Sequence, residues 1–170
     1  VVCTVSGSVV APGVAEVEMG TTLAEVIEEI GGGALPEHRV VAALPGVSGA
    51  MIVADAFDVA LTYEAMAAIG SGLGSAGFLV FDDHDDLVAV AAGVSRFLYV
   101  ESCGQCTPCK HDGGAISGAL DALLEGSLGG AARSGALATI RERLDTVADG
   151  ARCALARQHE EVVGSILGAF

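Results

Sequence analysis

The sequence predicts an α+β chain, a small strand-rich unit followed by an all-helical one, and three observations carry that prediction. Up to about residue 84, short runs rich in valine and isoleucine alternate with glycine and proline turns. A single capped helical segment interrupts them near the start. From Asp85 onward, apolar residues recur at three- and four-residue spacing.

In order, residues 1–10 ("VVCTVSGSVV") and 14–18 read as strands joined by a turn at Pro12-Gly13. Thr22 with Glu25 three positions on forms a capping box, opening a helix over 23–30 whose Leu23, Val26, Ile27 and Ile30 share one face. Gly31-Gly32-Gly33 stops it. "RVVAALPG" and "AMIVA" are two further strands, "YEAMAAIG" a helical turn or two, and "GFLVFDD" the last strand. One helix laid across a small mixed sheet is the layout of a β-grasp. Beyond it, "DLVAVAAGVSRFLYVES", "GGAISGALDALLEGSLG", "ALATIRERLDTVADG" and "RQHEEVVGSILGAF" predict four helices, punctuated by Gly129-Gly130 and Gly150. The expected division is 1–84 for the β-grasp and 85–170 for the helical domain, with no internal repeat.

Composition narrows the function. Apolar residues make up 52% and charged residues 18%, which suits a packed globule and not a disordered chain. The net charge of −14 argues against nucleic acid and anionic membrane surfaces as partners. It is unevenly spread: residues 1–95 carry a single base, Arg39, and seven of the eight bases lie in 96–170. The acidic half reads as a solvated surface or as a docking face for a partner. No apolar run of spanning length occurs, so membrane insertion is not expected. The first residues lack a basic segment before an apolar one, so no signal peptide is expected. The chain begins at Val1 inside a strand, and is read as a piece of something longer or as a processed chain.

The chemistry concentrates in residues 101–110, "ESCGQCTPCK", where Cys103, Cys106 and Cys109 are each separated by two residues. Three thiolates so spaced can converge on one centre about as wide as an iron–sulfur cubane, and Cys153 supplies a fourth from a distance. Gly104 allows close backbone approach, and Pro108 is expected to stiffen the loop before the third ligand. Rival readings are a zinc site, which favours two separated pairs, and a redox pair in "CGQC". Disulfides fit poorly without a secretory signal. Cys3 is expected to be a buried small hydrophobe in its strand. His111 reads as a neighbour of the site, not a ligand. Lys110 and Arg152 read either as solvated helix-end charges or as cations offsetting the cluster's negative charge. "GLGSAG" at 72–77 matches G-x-G-x-x-G, but helix precedes it and strand follows, the reverse of a dinucleotide-binding turn.

The run "ESCGQCTPC" with "CAL" at 153–155, together with "VSGSVVAPGVAEVEMGTTLAEVIEEIGGG" and "GSGLGSAGFLVFDD", resembles the C-terminal half of a known subunit family. That family is the NADH-binding flavoprotein subunit of respiratory complex I and the related diaphorase subunits of NAD-linked hydrogenases and formate dehydrogenases. The resemblance implies a soluble-ligand-binding (SLBB) β-grasp domain followed by a helical domain whose [4Fe–4S] cluster takes single electrons from reduced FMN. It implies Cys103, Cys106, Cys109 and Cys153 as cluster ligands, with no catalytic residue on this chain. FMN and NADH would then lie on a flavin domain or subunit outside these residues, and a downstream iron–sulfur protein would be the acceptor. On that reading the chain relays electrons in an NAD(P)H-linked oxidoreductase, is cytoplasmic, free or peripheral to a membrane complex, and does not oxidise NADH by itself. Two departures touch the surroundings of the ligands: Lys110-His111-Asp112 where the family usually has Arg-Glu-Gly, and Ala156-Arg157 where it usually has Gly-Asp. The competing class is a non-enzymatic adaptor, with the β-grasp as a recognition domain and the bundle around a structural metal.

Overall fold

The computed structural model describes residues 1–126 and 128–169. It divides into two compact units, Val1–Asp85 and Asp86–Phe170. The first holds a five-stranded mixed sheet and the second is helical, an α+β protein as expected.

In the first unit the strands are β1 (Val2–Gly7), β2 (Gly13–Glu16), β3 (Val40–Leu44), β4 (Ile52–Val53) and β5 (Gly77–Asp82), ordered β2-β1-β5-β3-β4. β1 runs antiparallel to β2 but parallel to β5, and β3 pairs antiparallel with β5 and β4. Alternation decides which side chains enter the core: Cys3 and Val5 from β1, Phe78 and Val80 from β5, all essentially inaccessible. Gly7 ends β1 at φ +93°, where a Cβ would stand 2.2 Å from the Val80 carbonyl oxygen, so only glycine lets the two central strands meet there.

Helix α1 (Leu23–Gly31) lies on β1 and buries Leu23, Val26 and Ile27 against it. The predicted capping box is present: Thr22 Oγ1 accepts from the Glu25 amide at 3.2 Å while Glu25 Oε2 accepts from the Thr22 amide at 2.8 Å. Gly32, at φ +68°, terminates the helix. A short helix, α2 (Tyr63–Ala68), precedes the glycine turn at 72–77, which leads into β5. The order is helix–turn–strand. In that turn Gly74 has φ +52° and packs on Ser48. The strands are shorter than the sequence suggests, because Ser8–Ala11 leave the sheet to bond the end of α1 through Val10 and Ala11 amides.

The second unit contains α3 (Leu87–Glu101), α4 (Thr107–Leu124), α5 (Gly130–Leu144) and a last helical run. That run is α6 (Ala154–Gln158), a π turn at His159–Val163 and α7 (Gly164–Ala169). Asp86 caps α3 by accepting from the Val88 and Ala89 amides. Small residues on the packed face of α3, Ala91, Ala92 and Ser95, bring α4 close. On α4, Gly113 and Gly114 form a notch, since a Cβ at either would press on the His159 ring at 3.2 Å or the Tyr99 ring at 3.0 Å. Among the described residues, no helix is long and apolar enough to cross a membrane.

Candidate metal centre

Two chain segments build the site. The first is the turn from α3 into α4. Ser102 closes α3, its hydroxyl donating to the Tyr99 carbonyl at 2.7 Å. Gly104, at φ +78°, reverses the chain, and Cys106 is the N-cap of α4. Pro108 is not in a loop. It occupies the first turn of α4, where its missing amide hydrogen costs nothing and its fixed φ suits the helix. Cys109 therefore projects from a regular helical turn, a more rigid platform than the sequence suggests. The second segment is the turn ending at Cys153, the N-cap of α6. Gly150, at φ +62°, shapes it, and its carbonyl accepts a long contact from Cys106 Sγ at 3.9 Å.

Cys103, Cys106, Cys109 and Cys153 line one cavity, with Gly104, Arg152, Leu155 and Ala156 in its wall. All four are free thiols. Burial, and then the thiols of Cys106, Cys153 and Cys103, push the Cys109 thiol above its usual range, with Lys110 pulling it down. Thiols gathered so closely repel one another once ionised, so the arrangement favours a polycationic occupant.

The donor set also speaks to which occupant fits. A single zinc ion, with Zn–S near 2.3 Å, would need its sulfurs about 3.8 Å apart in a tetrahedron. Among the described residues, the side chains gathered tightly enough to close on one ion are His38, Asp82, Asp83 and His84, not the cysteines. Four thiols around a wider cavity suit a cluster whose metal corners are each taken by one thiolate. Two of the four stand at helix starts, where amide hydrogens and the positive end of the helix dipole favour anionic charge.

The remaining sequence candidates fall into place. Cys3 is fully buried in the sheet core of the other unit, and burial raises its thiol pKa. His111 is exposed and does not line the cavity. Lys110 is not merely solvated: its Nζ donates to the Tyr99 and Ser102 carbonyls at 2.9 and 3.2 Å and lies 4.4 Å from the Tyr99 ring centre. It ties the C-terminus of α3 to the first turns of α4, complementing the dipole of α3. Arg152 is exposed at the cavity wall.

Two supports were not visible as such in the sequence. Asp112 is buried and joins α4 to Arg143 at 3.3 Å and to Thr146 Oγ1 at 2.9 Å. His159 is 1% exposed, and burial pushes its pKa down to about 4. Its Nε2 meets Ser95 Oγ at 2.8 Å, fixing the last helical run to α3. The clue for Asp112 was an acid with neither an acidic nor a basic neighbour four residues along α4; that clue does not name Arg143.

Comparison with known proteins gives matches to both units. Residues 89–170 match the NADH-ubiquinone oxidoreductase-F iron-sulfur binding region, and residues 2–55 match the SLBB domain. The chain is 43% identical over 107 residues to the F 2 subunit of the NADH-quinone oxidoreductase of Rhizobium meliloti (strain 1021), covering 62% of this chain and 25% of that protein. It is 38% identical over 123 residues to the HndC subunit of the NADP-reducing hydrogenase of Solidesulfovibrio fructosivorans, covering 71% of this chain and 25% of the relative. The chain thus spans about a quarter of the length of these relatives. In fold it is similar to the crystal structure of NAD+-reducing [NiFe]-hydrogenase in the H2-reduced state. The TM-score is 0.80 at 24% identity, over 98% of this chain and 27% of that one.

Proposed function

From a chain whose residues 89–170 belong to the iron–sulfur region of F-type NADH oxidoreductase subunits and whose residues 2–55 belong to the SLBB family, we propose a one-electron relay in an NADH-linked oxidoreductase. The observation that carries this reading is the convergence of four free cysteines, from two separate turns, on one cavity. Cys103, Cys106, Cys109 and Cys153 would each hold one corner of a [4Fe–4S] cluster. Such a cluster, when bound, takes up and releases one electron at a time. The chain's own residues supply the rest. The helical turn under Cys109 and the N-caps at Cys106 and Cys153 fix the thiolates before binding. Lys110 places a cation near Cys109 without occupying the cavity. Leu155 and Ala156 give the cavity an apolar side that limits water.

In this reading residues 1–84 form a β-grasp and 85–170 the electron-carrying domain. Electrons arrive from a reduced flavin carried outside these residues, on another domain or a partner chain, and leave to a further iron–sulfur protein. Residues 85–170 hold the relay in this reading.

Anaerobic purification and metal analysis test it directly. About four irons and four acid-labile sulfides per chain are expected, with a broad visible absorption that dithionite bleaches. Stoichiometric zinc without labile sulfide, after anaerobic preparation, would overturn the relay and favour a structural-metal adaptor.

A further inference from the structure

At the far end of β5, in the sheet unit, a second set of ligating side chains gathers well away in sequence from the cysteines. His38, Asp82, Asp83 and His84 each offer one ligand atom, and these four atoms lie within 4.8 Å of one another. We propose that this group is a binding site for a single divalent transition cation of the zinc type, held by two imidazoles and two carboxylates.

Topology assembles it. β3 and β5 pair in antiparallel register, Val40 against Asp82, so the residues entering β3 and those leaving β5 meet at one end of the sheet. His38 approaches from the segment before β3, and Asp82, Asp83 and His84 follow one another out of β5. The two rings stand 4.1 Å apart between centroids. Each ring faces a carboxylate: His38 Nδ1 lies 2.6 Å from Asp82 Oδ2, and His84 Nδ1 lies 3.3 Å from Asp83 Oδ1.

The backbone holds the carboxylates in place independently of the rings. The His84 amide donates to Asp82 Oδ1 at 2.9 Å, and the Arg39 amide donates to Asp83 Oδ1 at 3.0 Å. The Asp82 amide in turn donates to Asp85 Oδ2, which also accepts from Ser8 Oγ, so the turn after β5 is pinned on both sides. Asp82 Oδ2, the oxygen not bonded to the His84 amide, is aimed at the His38 nitrogen, and Asp83 Oδ1 meets both the Arg39 amide and the His84 nitrogen, so both carboxylates are preset and pay little ordering entropy on binding.

Chemistry selects the ion. Two nitrogens and two carboxylate oxygens suit zinc and its neighbours in the transition series, whereas calcium and magnesium take oxygen ligands. A tetrahedral zinc site has ligand atoms about 3.3 Å apart, so the group must close slightly from its present spread. His84 is the outer member, 63% exposed at its side chain, and is free to make that movement; Asp82, 3% exposed, is the fixed floor. Charge favours it too: within residues 1–95 thirteen acids face a single base. That base, Arg39, lies 4.0 Å from Asp83 and is 79% exposed, so it can turn outward as a cation enters.

The test is a Zn²⁺ titration of the full chain with its cysteine site loaded, followed by calorimetry and by NMR of the four histidine rings. The wild type is expected to bind one more equivalent than the His38→Gln/His84→Gln double variant, and only the His38 and His84 ring signals should move with that equivalent. His84→Gln alone, at an exposed position, should weaken that equivalent by about tenfold or more. Counting the equivalent lost between wild type and double variant separates this site from any zinc taken by the cysteines. An unchanged zinc count in the double variant, or movement confined to His111 and His159, would overturn the site.

Discussion

In the Val1–Asp85 unit, Cys3, Val5, Leu23, Val26, Ile52, Met66, Phe78 and Val80 belong to one continuous apolar cluster drawn from both sheet and helices. In the Asp86–Phe170 unit the burial includes more polar groups. α5 buries only Ile140 among its described residues, and Ser95, Ser102, Asp112, Ser117 and His159 are all buried alongside the aliphatic side chains. The first unit is closed by hydrophobic burial, which is non-directional and needs no ligand. The second adds directed ties to its aliphatic burial, Asp112 to Arg143 and Thr146, His159 to Ser95, and Lys110 to two carbonyls. On the proposed function, a unit whose turns converge on four thiols would also hold part of its stability in metal–thiolate bonds. The two units should therefore respond differently to the same insult.

The largest expected effect comes from Cys153. Cys153→Ser removes the only thiol contributed by the second turn, so iron should fall from about four per chain to well under half that value. Hydrogen exchange should then rise in α4 and in the run from Ala154, while the amides of β1 and β5 keep their protection. Cys3→Ser, buried among apolar side chains in the sheet unit, should leave iron content unchanged. Loss of iron in Cys3→Ser with retention in Cys153→Ser would reverse the assignment of the fourth ligand.

The complementary insult is Phe78→Ala. Phe78 is the largest of the fully buried side chains, and truncation should cost about 3–5 kcal/mol through lost transfer energy and the cavity left behind. Exchange of β1 and β5 amides should accelerate strongly with the visible absorption of the cluster retained. Bleaching of the cluster by this substitution would break the contrast between the units.

What the sequence makes legible follows the same division. The strand alternation of Cys3 and Val5, the Thr22–Glu25 box and the run Cys103, Cys106, Cys109 are readable because each is a local pattern with a fixed geometric consequence. Pro108 reads in sequence as part of a loop, since the helix that begins one residue earlier overlaps the cysteine run and lacks an amphipathic pattern there. The pairing of His38 with Asp82, and of Asp112 with Arg143, depends on strand register and helix packing across 44 and 31 residues. No local pattern encodes such pairs. A buried histidine such as His159 looks, in sequence, like any other polar residue of an exposed helix.

His159 supplies the next test. Burial holds its pKa near 4, against about 6.5 for an exposed histidine, so the unfolded chain takes up this proton first as pH falls. Stability of the helical unit should be fully present above pH 6.5 and decline between pH 6.5 and 4, by about 3 kcal/mol at the lower end. The pair Ser95→Ala/His159→Leu removes both the titrating ring and the hydroxyl it meets. The urea midpoint of the helical unit, compared at each pH between wild type and this variant, should diverge in that window. Equal pH slopes in the two proteins would mean that His159 already reaches solvent.

The smallest effect expected lies at the start of α1 and probes the other side of the comparison, because it disturbs a local tie in the unit that depends on burial. Thr22 Oγ1 accepts from the Glu25 amide and donates to Glu25 Oε2 at 2.8 Å, so Thr22→Ala leaves one helix-start amide without its partner. The cost should be about 1 kcal/mol, measured as a shift in the unfolding midpoint of the sheet unit. Glu25→Gln separates charge from geometry. The Thr22 amide, and then its hydroxyl, hold the Glu25 carboxyl below its ordinary pKa of 4.5, so the charged form is the one favoured in the fold. That contribution is present above the unfolded pKa and is lost as pH falls through the lower folded value. Wild type and Glu25→Gln should therefore differ at pH 7 and converge in acid, while the Thr22→Ala deficit persists in part, because the hydroxyl-to-amide bond does not titrate. A Glu25→Gln difference that stays constant down to about pH 3, below the ordinary range of a glutamate, would show that the box works through side-chain packing and not through charge.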